Sequence, residues 1–322
     1  MTMTFEQLLS PMAQDEFLEK YNNQKPMLIR GAADKFSQVL SWSEIHRLLN
    51  MDRIWTHRTM VLLLDGEAIS PKEYCTVTIN DGGRVISRPQ ARLVRRFVQQ
   101  GASLVLNDID TLTPGMAAIS QALQAGGLGE PWANAYISWK ERRAFNVHAD
   151  THDVWVVQIE GRKTWNIWQG RSPWPTYQND QRIPSRDEDP DKGELLHEWT
   201  LNPGDLLYLP WGWFHDALAA SDASVHITYG VRPLNGLDLA EQLMDRMVND
   251  PDFRQPMPVQ DGSETARAAL ALHAARLGDK LAAMCRAGIV LDGLQGTLVG
   301  KHKTYGGFDL LRARGIQSTD RG

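Results

Sequence analysis

Apolar spacing divides the chain into three stretches. Up to residue 131, short helical and strand-like patterns alternate; strand-like runs then dominate from Ala133 to Arg232; after Pro233 the spacing is helical. In the first stretch, Phe5, Leu8, Leu9, Phe17 and Leu18 predict two short helices broken at Pro11, followed by a strand over Met27 to Arg30 closed by Gly31. A helix starts at Ser41 or Ser43 with Trp42, Ile45, Leu48 and Leu49 inward. A strand over Ile54 to Leu64 turns at Asp65-Gly66 into Glu67-Ala68-Ile69, and Tyr74 to Ile79 gives another strand before Asp81-Gly82-Gly83. An amphipathic helix over Pro89 to Gln100, a buried strand over Ala102 to Asp108 and a helix over Pro114 to Ala125 complete it.

The second stretch holds strand candidates at Ala133 to Trp139, Asn146 to Ile159, Lys163 to Trp168, Leu206 to Leu209 and Val225 to Val231. Separated by turns, they suit an antiparallel double-sheet barrel. Residues 169–195 carry four prolines and a cluster of acids, and read as a long loop, either a recognition element or a solvated insertion. The third stretch predicts one helix around Leu237 to Val248 and a longer one over Ala266 to Ala287. Its Ala/Leu face would pack on the barrel or form a homodimer contact. From Val299 the tail is rich in Gly, Lys and Arg and is expected to be loosely ordered.

Composition narrows the function. A net charge of −5 without a basic run speaks against nucleic acid as partner. No apolar run reaches membrane-spanning length, and the first residues lack a signal peptide's basic and apolar regions, so no membrane is expected. Two cysteines 210 residues apart predict no disulfide, which fits a cytoplasmic location. Several of the eleven tryptophans, among them Trp155, Trp165, Trp168, Trp211 and Trp213, fall in or beside the barrel strands and read as filling a wide barrel.

The chemistry lies in FNVHADTHDVWVVQIEGRKTWNIW. His148 and Asp150 stand two apart, so on an extended chain they share a face. A third arm comes from His215, at the end of LNPGDLLYLPWGWFH. Two histidines and one carboxylate on one face of a metal leave positions open, as in non-haem Fe(II) oxygenases. A hairpin at Glu160-Gly161 folds Lys163 back beside this strand, where a buried ammonium needs a partner such as the far carboxylate of a chelating dicarboxylate. His152 reads as a rim residue beside the ligands, Asp153 and Asp216 as rim or turn residues, and His226 as either a pocket donor or a core histidine.

These motifs, with KPMLIRGA and GASLVLNDID upstream and PGDLLYLPWGWFH downstream, resemble the Jumonji-C branch of the Fe(II)/2-oxoglutarate oxygenases, including the ribosomal-oxygenase-type protein hydroxylases. The resemblance implies a mainly β fold with a double-stranded β-helix (jelly-roll/cupin) core. Together with the apolar spacing it divides the chain into an α/β lead-in over 1–131, a catalytic core over 132–235, a helical segment over 236–298 whose Ala/Leu face is a candidate homodimer contact, and a tail over 299–322. It makes His148, Asp150 and His215 the Fe(II) ligands and gives Lys163 the distal carboxylate of 2-oxoglutarate, with a hydroxyl from Tyr136 or Ser138, while Thr228 lines the same pocket. It implies O2 as co-reactant and hydroxylation of a peptide or protein side chain. The competing readings are a hydroxylase of a small metabolite, a lysine demethylase, a Zn or Mn cupin that does not use 2-oxoglutarate, and a non-catalytic scaffold.

Overall fold

The structure is a computed structural model, and it describes residues 2–79, 83, 85–139, 146–176, 191–259, 261–287 and 293. Two compact units emerge, Met1–Arg232 and Pro233–Lys303. The middle of the 169–195 loop and the tail from Val299 lie outside the described residues.

In the first unit the strands are β1 (Met27–Ile29), β2 (Met60–Leu64), β3 (Glu67–Ala68), β4 (Cys75–Ile79), β5 (Val85–Pro89), β6 (Ser103–Leu106), β7 (Pro131–Trp139), β8 (Asp153–Glu160), β9 (Lys163–Arg171), β10 (Leu195–Leu201), β11 (Leu206–Leu209), β12 (Trp213–Ala219) and β13 (Ala223–Val231). The helices are α1 (Phe5–Leu9), α2 (Gln14–Lys20), α3 (Trp42–Leu49), α4 (Pro71–Tyr74), α5 (Ala91–Gln99) and α6 (Pro114–Ala125). Ser41 caps α3, its hydroxyl accepting from Glu44 N at 3.2 Å, and Thr113 caps α6 in the same way. The strand expected from Ile54 starts only at Met60, because Thr59 accepts a hydrogen bond from Thr56 N and turns the chain first.

Eight strands form a large sheet in the order β1-β11-β8-β13-β7-β6-β2-β3, and β10-β9-β12 form a smaller one. The barrel is a double-stranded β-helix, and strands from before residue 131 extend its large sheet. Alternation along the large sheet separates two environments. Trp155 and Val157 on β8, Ala133, Ala135 and Ile137 on β7, and Ile227 and Tyr229 on β13 pack outward in one apolar core with Phe5, Phe17 and Ile119 from the helices. Val154 and Val156 point the other way and meet Trp165, Ile167 and Leu201 of the small sheet. The interior between the sheets therefore holds an apolar cluster, and Val154 and Trp165 of that cluster also line the cavity of the site.

The second unit contains α7 (Gly236–Asn249), α8 (Pro251–Arg254) and α9 (Glu264–Arg286). Asn235 caps α7 in a reciprocal arrangement with Asp238, and Lys280 of α9 bonds Asp250 and Asp252 at 2.7 and 2.6 Å. Among the described residues no helix is long and apolar enough to cross a membrane.

Candidate metal centre

The expected strand over Asn146 to Ile159 is shorter than its pattern suggested. β8 begins at Asp153, and His148 instead pairs with His215 in an isolated antiparallel bridge. Two backbone hydrogen bonds close that bridge, His148 N to His215 O at 3.0 Å and His215 N to His148 O at 2.8 Å. His215 itself lies on β12, a strand the sequence pattern did not reveal, opposite Ile167 of β9. Gly212 N donates to the Asp150 carbonyl at 3.1 Å, tying the ligand loop to the turn that leads into β12.

One ligand atom each from His148, Asp150 and His215 lies within 4.8 Å of the others. His215 Nε2 is 3.4 Å from Asp150 Oδ2, and the two imidazole centres are 4.5 Å apart. His148 Nδ1 contacts the Asn146 carbonyl at 2.8 Å and His215 Nδ1 the Trp213 carbonyl at 2.9 Å. A carbonyl only accepts, so each Nδ1 carries the proton and each Nε2 is the unprotonated nitrogen. Burial, and then the neighbouring His148, bring the His215 imidazole down to about 4, so it is neutral at ordinary pH. That is the tautomer and charge state a metal requires.

These side chains open onto a cavity of about 770 Å³ that also reaches Lys163, Tyr136, Thr228 and His226. Lys163 is 3% exposed and donates to Ser138 Oγ at 3.1 Å; burial lowers its ammonium to about 7. Tyr136 bonds the Asn134 side chain, and burial together with the Asp150 carboxylate raises its phenol to about 12, leaving it a neutral donor. Of the two candidate hydroxyls, Ser138 therefore reaches Lys163 and Tyr136 lies on the Asp150 side. Arg162 is only half-buried, as alternation against Lys163 requires.

His152 lies on the cavity wall, 3.9 Å from Asp150 Oδ1 and edge-on to Trp132. Asp153 and Asp216 are not rim residues. Asp153 is fully buried, accepting from Tyr208 Oη at 3.0 Å and Trp211 N at 2.8 Å, and burial raises its carboxyl to about 6. It faces the outer core because alternation turns it away from His152 and Val154. Asp216 is buried too, accepting from Asn166 and from the Trp168 indole, both at 3.2 Å.

Asn134, Trp132, Gly230 and Trp165 also line the cavity, a role not assigned to them from the sequence. Period two was the available signal, since Asn134 and Trp132 continue the Tyr136 face and Trp165 continues the Lys163 face. Trp165 stacks near His215, with ring centres 5.8 Å apart.

Residues 113–239 match the JmjC domain family. The chain is 27% identical over 250 residues to the bifunctional lysine-specific demethylase and histidyl-hydroxylase NO66 of Drosophila persimilis, covering 77% of this chain and 34% of that protein. It is 25% identical over 269 residues to ribosomal oxygenase 1 of Gallus gallus, covering 79% and 42%. The chain thus spans less than half the length of these two relatives. Among solved structures, YcfD, a ribosomal oxygenase from Escherichia coli in complex with cobalt and 2-oxoglutarate, superposes with a TM-score of 0.59 at 17% identity, over 91% of this chain and 73% of that one. The segment that matches the JmjC domain family, residues 113–239, carries His148, Asp150 and His215 at one end of a double-stranded β-helix.

Proposed function

We propose that the chain is an Fe(II)/2-oxoglutarate-dependent dioxygenase that hydroxylates a C–H bond of a peptide or protein side chain. The observation that carries this reading is a single cavity onto which both the His148, Asp150 and His215 group and the buried Lys163 open. The donor set fits the metal. Two imidazole Nε2 donors and one carboxylate oxygen suit Fe(II), and three protein ligands leave positions for a chelating cosubstrate and O2. The far end fits the cosubstrate, because Lys163 has only a hydroxyl partner among the described residues and a distal carboxylate would supply its counter-charge.

When bound, Fe(II) supplies the activation of O2, with 2-oxoglutarate as the reductant that leaves as succinate and CO2. The chain's own residues position and exclude. The carbonyls of Asn146 and Trp213 fix the imidazole tautomers, and the His148–His215 bridge fixes their spacing. Lys163 and Ser138 anchor the far end of the cosubstrate. Tyr136 and Thr228 line the space between, and the apolar packing of Val154 and Trp165 keeps water out.

A protein substrate is supported by the relatives named histidyl-hydroxylase and ribosomal oxygenase, and the cosubstrate by the YcfD complex. A reducing cytoplasm is supported by Cys75 and Cys285, which are free thiols. The test is succinate release from 2-oxoglutarate with Fe(II) across a tiled peptide panel, with mass spectrometry for a one-oxygen gain. Peptide-stimulated, Fe(II)-dependent succinate release with that gain is the expected result. Oxygenation of small metabolites alone refutes the protein substrate, and no Fe(II)-dependent succinate under any condition refutes the oxygenase.

A further inference from the structure

We propose that His226 is a second donor to the distal carboxylate of 2-oxoglutarate and selects for a 2-oxo dicarboxylate over a 2-oxo monoacid. The inference rests on the cosubstrate reading of Lys163 above. The antiparallel register of β13 on β7 stacks the cavity wall in layers, with Gly230 opposite Trp132, Thr228 opposite Asn134, His226 opposite Tyr136 and Ser224 opposite Ser138. Ser138 is the partner of Lys163, so His226 lies one layer from the ammonium on the same interior face.

His226 is 2% exposed, lines the cavity and forms no hydrogen bond with any described residue; its Nδ1 is buried without a partner. The ring is clamped in place. Tyr136 stacks on it with centres 4.7 Å apart and planes within 3°, and Trp165 meets it edge-on at 5.5 Å. Buried polar groups in native proteins are nearly always satisfied, and a phenyl ring would fill the same slot without an unmet hydrogen bond. An acceptor arriving with a ligand resolves the mismatch. A distal carboxylate has two oxygens, one for the Lys163 ammonium and one for the imidazole N–H, and no proton need move.

The experiment measures binding of 2-oxoglutarate and of 2-oxopentanoate, which lacks the distal carboxylate, to the Zn(II)-loaded protein by calorimetry. His226→Phe weakens 2-oxoglutarate about thirtyfold, the effect of losing one hydrogen bond to a charged group, and leaves 2-oxopentanoate unchanged. His226→Gln, which keeps an N–H donor, restores most of the affinity. Unchanged 2-oxoglutarate affinity in His226→Phe, or equal loss for both acids, overturns the proposal. Nitrogen-15 spectra of the wild-type imidazoles need no variant to fold: 2-oxoglutarate should shift the His226 ring resonance and 2-oxopentanoate should not, and an unmoved resonance at saturation overturns it as well. Failure of the wild type to bind 2-oxoglutarate at all is a distinct result, which removes the cosubstrate reading beneath the proposal.

Discussion

Replacing Lys163 with methionine should make the free protein more stable and its cosubstrate binding worse. The side chain is 3% exposed and burial lowers its ammonium to about 7, against a reference value of 10.5. The native pKa lies below the unfolded one, so between these values the unfolded chain holds more protons and stability rises with pH. At pH 6.5 the buried amine costs on the order of 4 to 5 kcal/mol relative to the unfolded chain, and at pH 9 about 2 kcal/mol. Methionine removes that cost, offset by roughly 1 kcal/mol for the lost hydrogen bond to Ser138. Lys163→Met should therefore gain about 3 kcal/mol at pH 6.5 and about 1 kcal/mol at pH 9. Scanning calorimetry should read this as a Tm increase of about 6 to 12 °C at the lower pH, shrinking as pH rises. Loss of the ion pair should raise the Kd for 2-oxoglutarate by about 150-fold, or roughly 3 kcal/mol. In the wild type the same Kd should rise as pH climbs above about 7, because the ammonium is the form that binds. A variant destabilised at pH 6.5 would contradict the burial cost of Lys163, and one that binds 2-oxoglutarate as tightly as the wild type would contradict its ion pair with the cosubstrate.

Three further outcomes follow from the geometry. Asp153→Ala leaves Tyr208 Oη and Trp211 N without their buried acceptor; urea unfolding should show a loss of about 2 to 4 kcal/mol, and metal titration a weaker site, because the turn before His215 loosens. A Cβ at Gly230 would lie 2.5 Å from the Trp132 ring and 3.0 Å from His152, so Gly230→Ala should push that pair into the cavity and raise KM for substrate while the Kd for 2-oxoglutarate stays fixed. The helical unit leaves Leu237, Met244, Val248 and Leu272 exposed, and a homodimer through its Ala/Leu face predicts twice the monomer mass by light scattering at micromolar concentration; a monomeric mass at that concentration rules the dimer out.

Much of the site was legible because it is written locally. Gly161 holds φ +61°, and a Cβ there would lie 1.9 Å from the Ala223 carbonyl oxygen, so the Glu160-Gly161 turn and the return of Lys163 could be read from that dipeptide. Tyr136 and Ser138 came from the family resemblance rather than from the pattern; they stand two apart on β7 and both turn inward. Three strands escaped detection, β5, β10 and β12, and the last two carry little alternation of their own. Leu195 and Leu196 are both exposed, and Asp216 is buried next to His215, so partners on β9 rather than residue type decide their conformation. Strand order is non-local for the same reason: nothing in Met27–Ile29 announces that it pairs with Leu206–Tyr208, 175 residues and more downstream in the chain. His226 was ambiguous in the sequence because its neighbours, Tyr136 and Trp165, come from two other strands.

On the function proposed above, His148, Asp150 and His215 hold Fe(II) while a 2-oxo dicarboxylate chelates it and reaches Lys163. The most direct test of that claim is an anaerobic titration of the Fe(II)-loaded protein with 2-oxoglutarate, followed by visible absorption. Chelation of the metal by the 2-oxo acid predicts a charge-transfer band that saturates at one equivalent and is lost in His215→Ala. A protein that takes up Fe(II) yet develops no band, or one whose band survives His215→Ala unchanged, contradicts the claim.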